Sequence, residues 1–105
     1  MSTWTETNER YDIQLKSPMG WIKIYAELTI TSETAFRGEA RLLGQTVPLT
    51  DCVKNGRSYT FKAAPKLPFG VLEVDISADV HDDGTVTGVA TAPRHRPMEI
   101  RGAAQ

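Results

Sequence analysis

The stretch KSPMGWIKIYAELTI at residues 16–30 is answered fifty residues later by KLPFGVLEVDISADV at 66–80. Lys16 and Lys66, Pro18 and Pro68, and Gly20 and Gly70 coincide without a gap. The match continues in kind: Ile22 meets Leu72, Ile24 Val74, Leu28 Ala78, Ile30 Val80, Phe36 Val86, Gly38 Gly88 and Ala40 Ala90. Upstream, Tyr11 meets Phe61. Downstream the register slips by one, so that Val47 and Leu49 fall on Met98 and Ile100. Similarity at a fixed offset marks a repeated structural unit, and the fold is read from it first.

Each copy has a period of two. Ile22, Ile24, Ala26, Leu28 and Ile30 alternate with Lys23, Tyr25, Glu27 and Thr29; Leu72, Val74, Ile76, Ala78 and Val80 alternate with Glu73, Asp75, Ser77 and Asp79. Strict alternation predicts strands with one face on a core and one in water. SPMG at 17–20 and LPFG at 67–70 suit turns, as Pro fixes φ at the second place and Gly frees the fourth. Asn55-Gly56 and Asp83-Gly84 are hairpin signals, while Gly44, TSET at 31–34 and APRHRP at 92–97 supply further breaks. The expected strands are about 9–16, 20–31, 34–43, 45–53, 57–64, 70–81, 85–92 and 97–102. This is an all-β meander of eight strands, four per repeat: repeat one over about 9–54, repeat two over about 57–102, after an arm at 1–8 expected to be loose. Four strands alone leave two open edges and an uncovered apolar face. Two copies can close into an eight-stranded antiparallel barrel, just wide enough to be filled by side chains or to hold one small ligand. An open sheet covered by a second copy is the alternative.

The meander, the doubled K-x-P-[MF]-G turn and the D-D-G-T-V-T-G run at 82–88 resemble small bacterial calycin-like, that is lipocalin-like, barrels. The resemblance spans residues 10–102 and rests on turn and strand signals. The G-x-W strand start of lipocalins and the helix pair of fatty-acid-binding proteins have no counterpart here. The resemblance implies a barrel and a small apolar ligand, and it transfers no functional residue.

Composition narrows the function classes. The net charge of −1 argues against a nucleic-acid binder. Residues 1–8 do not read as a signal peptide, and no run approaches the ~20 apolar residues of a membrane span. One cysteine, Cys52, cannot form an internal disulfide and fits a reducing cytoplasm. Without neighbouring cations it reads as a small buried thiol. His81 and His95 stand in no ligand pattern with carboxylates, so neither metal nor cofactor is expected. Arg37, Glu39 and Arg41 read as cross-strand charge pairs on the outer face.

In a meander, alternate connections share an end. One end collects TSET, Asn55-Gly56 and HDDG, all tight and polar. The other collects the proline-rich turns with Met19, Trp21, Leu43, Leu67 and Phe69, and with Arg94, His95 and Arg96 among them. Apolar residues in turns are costly to leave wet, so this end reads as a cork, a ligand mouth or a subunit interface. Inward, Tyr11, Phe36, Tyr59, Phe61 and Met98 are the larger lining candidates; Ala26, Gly38, Ala40, Ala78, Gly88 and Ala90 either let the strands coil or leave space. Asp51 follows Val47 and Leu49 in phase and points inward, unless a bulge near 50–52 turns it out and Cys52 in. The leading expectation is a cytoplasmic binding module for a small apolar or aromatic molecule, an anionic one included, held by these residues with Arg94, His95 and Arg96 at the mouth. A cofactor-free isomerase, cyclase or lyase using Asp51, Tyr11 or Tyr59 is the alternative, and an accessory subunit docking through its apolar end is a third. A homodimer through the Met19/Phe69 end or a sheet edge is an expected partner; nucleic acid and membrane are not.

Overall fold

A computed structural model describes residues 4–18, 20–67 and 70–105. Its strands are β1 (Thr7–Ser17), β2 (Gly20–Ile30), β3 (Phe36–Leu42), β4 (Gln45–Pro48), β5 (Thr50–Asn55), β6 (Ser58–Ala63), β7 (Lys66–Leu67), β8 (Gly70–Val71), β9 (Val74–Val80), β10 (Thr85–Thr91) and β11 (Met98–Ala104). Alternation in the sequence becomes alternation in burial. Val74 and Ala78 are buried while Asp75, Ser77 and Asp79 are exposed, and Leu28 and Ile30 close the inner face of β2.

Nine strands form one antiparallel sheet in the order β4-β3-β2-β1-β11-β10-β9-β6-β5. The first long strand pairs with the last, Tyr11 opposite Ala104 and Leu15 opposite Ile100, so the sheet curls back on itself. The seam lies between β3 and β5. It is partly stitched by an Ala35–Val53 bridge, by Lys54 N–H donating to Thr34 O at 2.9 Å, and by Leu49 N–H donating to Gly38 O at 3.0 Å. The result is a nearly closed barrel. β1 begins two residues earlier than expected and pairs Thr7 with Ile30. The arm before it is tied down where described: Trp4 donates its indole N–H to Ile30 O at 3.0 Å, and Glu6 meets Arg37 at 3.0 Å.

Two expected strands are divided. The stretch 45–53 becomes β4 and β5, because Asp51 takes φ 50° and the β5–β6 register shifts between Thr50 and Val53. That is a bulge: an extra residue bends the strand and re-aims its neighbours. The stretch 70–81 becomes β8 and β9. Gly70–Val71 leaves the barrel wall to pair with Lys66–Leu67 as a short ribbon, Lys66 opposite Val71. The side chain of Gln45 holds this ribbon at two points, donating from Nε2 to Lys66 O at 2.6 Å and accepting Lys66 N–H on Oε1 at 2.8 Å.

Pairings repeat at the fifty-residue offset. Ala26–Ala40 and Leu28–Gly38 of β2–β3 recur as Ile76–Ala90 and Ala78–Gly88 of β9–β10. The glycines are there for close approach: a Cβ on Gly38 would strike Glu27 O and Leu28, and one on Gly88 would strike Ser77 O and Ala78. Small residues at these crossings let the strands coil tightly enough to turn the sheet into a barrel.

Candidate functional site

The inward side chains do not fill the barrel. A cavity of about 310 Å³ runs through it, equal to about ten water volumes at ~30 Å³ each. Its walls are apolar, with Ile13, Ile24, Leu42, Val47 and Leu49 on one side and Phe61, Val74, Ile76 and Met98 on the other. Buried alanines at Ala40, Ala78 and Ala90 leave the space at mid-height. Toward the proline-rich end the lining includes Ser17, Pro18, Leu67, Leu72 and His95.

The opposite end is closed by aromatic packing. Phe36 sets its ring edge-on against Tyr59 at 5.3 Å and Phe61 at 6.0 Å. Tyr11 and Tyr59, 6% and 5% exposed, turn their hydroxyls toward the end of the barrel. Both donate to the same atom, Glu9 Oε1, at 2.9 Å each. Burial first, and the bond to the Glu9 carboxylate second, push the Tyr11 phenol up to about 12. The same two causes, in the same order, push Tyr59 up. Both phenols are therefore neutral donors across the physiological range, fixed by one anion. The carboxylate ties β1 to β6.

Of the expected lining, Tyr11, Tyr59, Phe61, Met98 and His95 reach the cavity. Phe36 does not reach it; it backs the two rings just described. Trp21 is misplaced in the expectation. It stands in the outward phase of β2 opposite Lys16, is 40% exposed, and lies under the Arg101 guanidinium at 4.0 Å from the ring centre. Arg94 and Arg96 are exposed on the turn before β11. Met19 and Phe69 lie outside the described residues.

The catalytic candidates are separated by the bulge. Asp51 points outward, its side chain 73% exposed and 3.7 Å from Lys62 Nζ. Cys52 turns in and packs on the core, and burial followed by the nearby Asp51 charge pushes its thiol up. Such a thiol is a weak nucleophile. The inward carboxylate is Glu9 instead. It stands in phase with Tyr11, Ile13 and Leu15, and that phase was the signal available in the sequence. Among the described residues, no cluster of His, Cys, Asp and Glu could hold a metal ion.

Compared with known proteins, the chain matches no protein-family model, no curated protein and no solved structure.

Proposed function

We propose that the barrel is a binding module that holds one small apolar or aromatic molecule in its interior. The cavity carries this reading. At ~24 cal/mol per Å³ of void, leaving 310 Å³ empty would cost about 7 kcal/mol. That is comparable with the ~5–15 kcal/mol that stabilises a whole domain. Apolar walls offer water few partners, so an apolar guest is the better occupant. Arg94, His95 and Arg96 stand where an acidic group on that guest would emerge, and such a pairing is charge-assisted. The eight-stranded, lipocalin-like reading counts β4 and β5 as one strand bent at Leu49, and the duplicated-half reading is supported by the pairings that recur at an offset of fifty residues. Both belong to this proposal.

A thermal-shift series of straight-chain acids, the matching alcohols and aromatic acids tests it. A guest at a hundred times its Kd adds about 2.7 kcal/mol, which raises Tm by roughly 10 °C or more in a domain this small. No shift with any member of the series would sink the binding reading.

The Glu9 cluster favours one alternative, a cofactor-free isomerase, cyclase or lyase. Tyr11 and Tyr59 line the cavity while Glu9 lies outside its lining, bonded to both hydroxyls, so a proton from a bound molecule would reach the carboxylate only through a phenol. Glu9→Gln separates the two: a binding module keeps its guest affinity, whereas an enzyme loses turnover.

A further inference from the structure

We infer that the proline-rich end of the barrel, the open end in the sense that the cavity's lining reaches it, is a docking face for an anionic lipid surface. The net charge of −1 conceals a separation of charge along the barrel. The connections at the open end, 16–21, 42–45, 64–73 and 92–97, carry Lys16, Lys66, Arg94 and Arg96 against Glu73 alone. Those at the closed end, 4–6, 31–35, 55–58 and 81–85, carry Glu6, Glu33, Asp82 and Asp83 against Arg57 alone. Four to one at one end faces one to four at the other.

The apolar side chains at the open end are held out at a cost. Leu43 is 56% exposed and takes φ 49° at the tip of the β3–β4 hairpin. Asn or Gly fits that conformation without strain, and Asn would also remove the wet apolar surface. Val71 is 60% exposed on the β7–β8 ribbon. A residue that is both strained and exposed gains nothing for the fold, and such outliers point to function. The barrel wall behaves differently: Lys23, Arg37 and Arg41 point outward and are exposed, so the molecule cannot lie lengthwise in hydrocarbon or span it. The tip alone can enter a lipid interface.

The charges choose the occupant. A second copy docked mouth to mouth would set four cations against four. The acidic end of a second copy would match in sign, but its turn tips Ser32, Asn55, Gly56, Asp82 and Asp83 are polar, and its exposed apolar residues lie off those tips, Trp4 held to Ile30 O and Val53 on the seam strand β5. An anionic bilayer satisfies both the cations and the apolar tips. Among the described residues no helix is long and apolar enough to cross a membrane, and surface docking needs none. It does not depend on what the cavity holds; only the corollary that a guest passes between bilayer and barrel rests on the binding proposal.

Co-sedimentation of the full chain with vesicles tests the docking, using phosphatidylcholine alone and with 30 mol% phosphatidylserine (a roughly physiological share of anionic lipid). Binding is expected to the anionic vesicles, and it should be lost in high salt. At about 1 kcal/mol for each cation near the surface, the double variant K66A/R94A should bind about thirtyfold more weakly. Leu43→Asn should melt no lower than the wild type and bind several-fold more weakly. No binding to anionic vesicles, equal binding to neutral ones, or wild-type binding by both variants overturns the inference. Self-association through this end, or retention on an acidic protein with none on vesicles, overturns it as well. A barrel that takes up fatty acids yet ignores vesicles would sink the docking and leave the binding proposal standing.

Discussion

The two ends of this barrel are made from the same kinds of strand and are put to opposite uses. At the closed end, Phe36, Tyr11 and Tyr59 interlock and a single carboxylate satisfies two buried hydroxyls. At the open end, the cavity is lined by Ser17, Pro18, Leu67, Leu72 and His95, and Leu43 and Val71 are left in water. Packing density is the difference. One end is filled by interlocking rings, and so holds the fold; the other borders the cavity. Stability should therefore respond sharply to changes at the closed end and weakly at the open one.

The largest effect is expected from Phe36→Ala. It removes a buried ring with two edge-on partners, at a cost of about 3–5 kcal/mol in urea unfolding. Gly88→Ala comes next. Its Cβ would meet Ser77 O and Ala78, and forcing strands apart typically costs about 1–3 kcal/mol. Alkaline titration then reads the phenols. Their folded values lie above the ordinary 10.0, so the unfolded chain loses these protons first. Stability should hold below pH 10, then fall as pH rises toward about 12 and beyond. Glu9→Gln should make that fall shallower, because it removes the anion that raises both groups; an unchanged profile would show that Glu9 does not govern them. At the open end, Ala63→Leu should change stability by less than ~1 kcal/mol, since it grows into free space, while weakening guest uptake. The smallest effect is expected from Leu43→Asn, a gain of about 0.5 kcal/mol from relieved strain. Should Ala63→Leu destabilise as much as Gly88→Ala, the contrast between the ends fails.

Much of this contrast was legible in the alternation alone. Ile22 to Ile30 and Val74 to Val80 show their faces in sequence, and the turn types assigned the polar and the apolar connections to opposite ends. The inward phase of Tyr11 and Tyr59, and the option of a bulge turning Asp51 out and Cys52 in, were also readable. Glu9 was not taken from its phase, because hydropathy argues against an inward carboxylate at a strand start. Its place makes sense only beside Tyr59, fifty residues away on β6, a strand that does not pair with β1 and that no local pattern links to it. Trp21 was grouped with the apolar turn, although its odd phase put it outside. The division of 70–81 escaped because Leu72 and Val74 keep perfect alternation across the break, so pattern alone cannot register that Gly70–Val71 has left the wall.

The clamp from Gln45 to the backbone of Lys66 has a kinetic consequence. The ribbon at the mouth is fastened by two exposed hydrogen bonds, each worth about 1 kcal/mol net. Moving it aside breaks these two bonds and loosens the packing of Leu67 and Leu72, and it leaves the β-ladder of the wall intact. On the binding proposal, exchange of an occupant would be governed by a latch separate from the surface that recognises it. Residence time and selectivity become independent properties, and one substitution at Gln45 could alter the first without touching the second.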